Sequence, residues 1–158
     1  MGSLRVAVGL LLLLWPRVVF AQAPVVQWAD WVSYGTAAVN PAIGVVSAWR
    51  SDQRWCRLGQ IGISELVGNG STLAIKRVVR SPRPCLGCPA DGMPSGHSMN
   101  SVIGMSQYDL GPRLGWTFSW GTQQLRGEAH RHTKTQRAAG LLIGAGAEFA
   151  GHLLKCGP

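Results

Sequence analysis

From Thr135 to Lys155 the chain reads TQRAAGLLIGAGAEFAGHLLK, and this stretch decides the fold class. Ala139, Gly140, Ile143, Gly144, Ala147, Gly151 and Leu154 recur three and four residues apart, the spacing of one helical face. Five of these seven side chains are no larger than a methyl group, so a neighbouring backbone can approach closely. Glu148 and His152 stand one helical turn apart and are expected to form a structural pair.

Outward from this segment, four further stretches read as helices. They run from about Trp28 to Trp49, Leu58 to Val79, Ser95 to Gly111, and Arg113 to Leu125, and the last helix from about Thr135 to Lys155. Asn40-Pro41 is expected to kink the first. Pro82, Pro84, Pro89 and Pro94 exclude regular structure between the second and third. Alternating strand patterns are scarce. With 158 residues there is room for one domain, and the expectation is an all-α protein, a compact bundle of about five helices. No charge falls between Trp31 and Trp49, and tryptophans flank that stretch. The pattern alone leaves open whether residues 31–49 span a bilayer.

Arg5, the apolar run Val6–Trp15, and small residues at Ala21 and Ala23 have the form of a secretory signal peptide. Residues 1–21 are the expected leader, cleaved after Ala21 or Ala23, and 22–158 the functional domain; a retained N-terminal anchor is the alternative. Loss of Arg5 and Arg17 leaves thirteen basic residues against seven acidic ones, a net charge of +6. That surplus favours anionic partners, and export argues against nucleic acid. Four cysteines in an oxidising compartment favour disulfides over a metal site. Three pairings are open; Cys56–Cys156 with Cys85–Cys88 is favoured.

Three clusters carry chemistry. Lys76 ends a helical stretch, and Arg83-Pro84 follows seven residues on. An ammonium and a planar guanidinium can then grip one anion from two directions. In Pro94-Ser95-Gly96-His97, Ser95 is suited to an N-cap and Gly96 to close backbone approach. First-turn N–H groups there make an anion site, with His97 at its rim. The third cluster runs from Arg126 through His130 and His132 to Gln136.

Taken together, these spacings resemble the signature of the type 2 phosphatidic acid phosphatase superfamily, which includes the bacterial class A acid phosphatases. That signature is Lys, six residues, Arg-Pro; Pro-Ser-Gly-His; and Ser-Arg, five residues, His, three residues, Asp. Lys76, Arg83, Pro84, Pro94 to His97, Arg126 and His132 match it. Leu125 replaces the Ser and Gln136 the Asp. The resemblance covers Lys76 to about Gly140 and implies a helical bundle. It also implies a metal-free phosphatase without a cofactor, acting on a phosphomonoester or pyrophosphate, with a lipid phosphate as the expected substrate and a soluble ester as the alternative.

In that scheme His132 is the nucleophile and forms a phosphohistidine, while His97 is the general acid. Lys76, Arg83, Arg126 and the backbone at Ser95 and Gly96 hold the phosphate. Gln136 is expected to accept the His132 N–H and orient the ring without supplying a charge. His130 is the rival nucleophile. The implied location is the periplasm or the periplasmic face of the inner membrane, with membrane-surface association. A catalytically weak phosphate- or lipid-binding protein is the reading from another class.

Overall fold

A computed structural model describes residues 24–85, 88–109 and 111–157; the expected leader lies outside them. Among the described residues there is no strand, and the all-helical expectation holds. The α-helices are α1 (Pro24–Arg50), α2 (Arg54–Val78), α3 (Gly96–Asn100), α4 (Pro112–Glu128) and α5 (Lys134–His152), with a 3-10 turn at Met105–Gln107. Helix α1 packs on α4, and α2 on α5, with α3 set against α5.

Local chemistry sets the helix starts. Thr133 Oγ1 accepts the Gln136 N–H, and Gln136 Oε1 accepts the Thr133 N–H, at 3.3 and 3.0 Å. This reciprocal capping box opens α5. Pro112 stands in the first turn of α4, where its missing N–H costs nothing. The small-residue stripe of α5 does what its spacing predicts. A methyl at Gly140 would collide with Ser95 O, at Gly144 with Met99 O, and at Gly151 with Ser64 Oγ.

The third segment is shorter than its sequence suggests. Helix α3 ends at Asn100, and the chain turns through Gly104 at φ +84°. Distant groups enforce the turn. Asn40 Nδ2 donates to Ser101 O and, at 2.8 Å, to Gly115 O. The Glu148 carboxylate accepts from Gly104 N and Ser106 Oγ. Glu148 therefore holds this turn and does not pair with His152, correcting that expectation. Pro41 lies inside α1, which continues to Arg50.

Apolar packing centres on Met99, Ile103, Ile61 and Ala147, with Val102, Met105 and Tyr108 beside them. Much of the remaining interior is polar and internally bonded. Ser98 Oγ donates to Gln123 Oε1 at 2.7 Å, and the Ser101 and Ser119 hydroxyls meet at 3.0 Å. Conversely, Trp31, Trp55, Leu66, Leu142 and Phe149 are exposed. Among the described residues no helix is long and apolar enough to cross a membrane. In α1 the reason is the inward face, which carries Ser33, Asn40 and Ser47.

Both favoured disulfides form. Cys56–Cys156 ties the start of α2 to the segment after α5, and Cys85–Cys88 closes a short loop. They suit an oxidising, exported compartment. The described residues contain no cluster of potential metal ligands.

Candidate functional site

The loop between α2 and α3 folds back onto the start of α5. Gly92 N donates to Ser81 O at 2.8 Å, and Ser95 N to Gln136 O at 3.0 Å. Gln136 Nε2 adds bonds to Ser81 Oγ and Pro82 O at 2.9 and 2.8 Å. This lacing brings three clusters, far apart in the chain, to one cavity of about 720 Å³. Lys76, Arg83, Gly96, His97, Arg126 and His132 all line it.

His132 is buried, and its Nδ1 lies 2.8 Å from Gly92 O. A carbonyl can only accept, so Nδ1 carries the proton and the Nε2 lone pair remains free. Burial first, then Arg126 and Arg83, push the His132 pKa down to about 3, with the Gly92 bond opposing. His97 sits edge-on to the Tyr34 ring at 4.2 Å between centroids. Burial, then Arg126, push its pKa down to about 4 against the pull of Asp30. Both imidazoles are therefore neutral at pH 7.

Two carboxylates that the sequence reading did not single out organise the cations. Asp91 accepts from Arg83 Nε and Nη2 at 2.9 and 3.2 Å, and its backbone oxygen accepts from Lys76 Nζ at 2.8 Å. The Arg83 bond chiefly holds the Asp91 carboxyl below its usual range. Burial lowers the Lys76 pKa. Asp30, on α1, bonds Arg126 Nη1 through one oxygen and Arg131 Nη2 through the other, the latter at 2.9 Å. Ser33 Oγ accepts from the same Arg126 nitrogen at 3.2 Å. Arg126 is only 2 % exposed, and among the described residues its Nε has no partner.

Two assigned roles need correction. Gln136 makes no hydrogen bond to His132; its amide is spent on the α5 cap and the folded-back loop, and Gly92 O holds the imidazole instead. Ser95 is fully buried and does not line the cavity. Its hydroxyl caps α3 by accepting Ser98 N–H at 3.3 Å, and its own N–H is taken by Gln136 O. The first-turn N–H of Gly96 remains at the cavity wall. His130 is exposed, at φ 49°, and does not line the cavity.

Asp30 had a signal in the sequence, as the one acid in a 27-residue helix. Asp91, in a proline-rich loop, had none. The chemistry available is anion capture by three cations beside two neutral imidazoles. Comparison with family models, curated proteins and solved structures finds no match to this chain.

Proposed function

We propose that the protein is a metal-independent phosphatase that hydrolyses a phosphomonoester or pyrophosphate through a phosphohistidine at His132. The observation that carries this reading is the convergence of Lys76, Arg83, His97, Arg126 and His132, from three separate clusters of the chain, on one cavity. Phosphoryl transfer asks mainly for positioning and for neutralisation of the equatorial oxygens, which three cations provide.

His132 is poised as a nucleophile because its Nε2 is unprotonated and its ring is held from behind by Gly92 O. Attack on phosphorus forms the N–P bond and breaks the ester P–O bond. His97 gives its proton to the leaving oxygen, then takes one from the water that hydrolyses the phosphohistidine. Burial first, and then the cations, depress the His97 pKa; a bound dianion beside the ring opposes both, so substrate binding itself promotes the protonated acid. An isoprenoid or other lipid phosphate fits the exposed Trp31 and Tyr34 beside the cavity. An exported, periplasmic setting fits the disulfides.

Asp91 favours a second reading, a phosphate-binding protein of low turnover, because its carboxylate already fills the Arg83 fork. Phosphate release in EDTA, on a soluble ester and on a lipid pyrophosphate, separates the two. Activity that survives EDTA and disappears in His132→Ala is the expected result. Tight phosphate binding without release by the folded protein would leave the binding reading.

A further inference from the structure

The cavity is far larger than a phosphate group; its volume is in the range that encloses a whole organic ligand. Its long wall is a single stripe of α2, with Glu65, Asn69, Thr72 and Lys76 spaced four, three and four residues apart. Eleven residues separate Glu65 from Lys76, about 16 Å along a helix rising 1.5 Å per residue. The cations and imidazoles occupy the Lys76 end. The middle is walled by Leu73 of α2 and by Ala37, Ala38 and Pro41 of α1.

Glu65 is the sole charged residue of α2 between Arg57 and Lys76. Its Oε2 accepts from Asn69 Nδ2 at 2.7 Å, and among the described residues it has no ion-pair partner. The pair sits at the open end of the cavity; partial burial raises the Glu65 pKa, the Asn69 bond opposes this, and the Glu148 charge adds to it.

We propose that Glu65 and Asn69 form a second polar subsite, which receives an amine at the far end of the phosphate ester's organic part. The proposal rests on the phosphatase reading for the other end of the ligand. An ammonium there supplies the charge that Glu65 lacks, and the intervening apolar walls suit an aliphatic spacer. The ligand class is a bipolar phosphate ester, anionic at one end and cationic at the other. If Glu65 is only a helix-surface partner of Asn69, the far group makes no difference.

The test compares three substrates with the full, disulfide-intact protein: 4-nitrophenyl phosphate, dodecyl phosphate and ω-aminododecyl phosphate. The expected KM for the amine is about tenfold below that for dodecyl phosphate, from one charge-assisted contact in a partly open site. Glu65→Gln should erase that difference while 4-nitrophenyl phosphate turnover stays unchanged, and Glu65→Lys should reverse it. Equal KM values in the parent protein, or a preference that survives Glu65→Gln, overturn the subsite. If no ester is hydrolysed, the phosphatase reading fails separately. The subsite is then judged by calorimetric affinities for the same two alkyl phosphates, with the same tenfold criterion.

Discussion

Removing the carboxylate of Asp30 tests the most heavily buried part of the site. The Arg126 guanidinium is 2 % exposed, and its Nη1 has two partners, Asp30 and Ser33. In Asp30→Ala the cation stays buried with only a hydroxyl to offset it. Breaking one side of such a pair costs about 3–5 kcal/mol. The half-exposed Arg131 bond adds less than about 1 kcal/mol, so the expected loss is about 4 kcal/mol. That is a large share of the ~5–15 kcal/mol that holds a domain together. At roughly 3 °C per kcal/mol for a chain of this size, the melting temperature falls by about 12 °C. Asp30→Asn keeps an acceptor oxygen and should lose about half as much.

Urea unfolding followed by tryptophan fluorescence measures both variants. Inorganic phosphate supplies the missing negative charge beside Arg126, so it should stabilise Asp30→Ala more than the parent protein. An Asp30→Ala protein within about 0.5 kcal/mol of the parent would refute the reasoning, because Arg126 would then not depend on α1 for its counter-charge.

In the proposed reading Asp91 competes with phosphate for the Arg83 fork; its carboxylate is partly exposed, so the pair is worth about 1 kcal/mol at most. Asp91→Asn should therefore tighten inorganic phosphate binding by about fivefold in calorimetry. Weaker binding would mean that Asp91 holds Arg83 in its binding position. The two imidazoles set the acid limit of stability. Their folded pKa values of about 3 and 4 lie below the unfolded value near 6.5. Below pH 6.5 the unfolded chain thus binds more protons, and stability present above that pH is lost as the pH falls toward 4. Each imidazole contributes a slope of up to about 1.4 kcal/mol per pH unit. His132→Gln should flatten the curve measured by urea unfolding between pH 6 and 4.5, and an unchanged slope would contradict the burial of His132.

The long helices were legible because their apolar or small residues recur at helical spacing. The capping box of Thr133 and Gln136 that opens α5 went unread, and Gly111-Pro112 marked the break before α4. The truncation of α3 was not legible, since the turn at Gly104 is imposed by Asn40 and Glu148 from elements far away in sequence. The convergence of Lys76, Arg83, His97, Arg126 and His132 could be read only through the resemblance of their motifs to a known signature. The pairing of these cations with their counter-ions could not. Asp30 lies 96 residues from Arg126, and nothing local marks such a pairing. Gln136 misled because an amide three residues into a helix has a backbone task, capping, that competes with any task at the imidazole.

The Cys56–Cys156 bond spans a sequence separation of 100 residues. It makes a covalent ring that contains Lys76, Arg83, His97, Arg126 and His132. Helix α1 lies outside the ring and is joined to it only through the short Ser51–Gln53 turn. The cavity is thus walled by a closed hoop of chain and by one stave outside it, and that stave carries Asp30 and Tyr34. A single peptide cut in the turn leaves every cation and imidazole on one covalent piece. It leaves the wall that supplies Arg126 with its counter-charge and His97 with its aromatic neighbour held by non-covalent contacts alone.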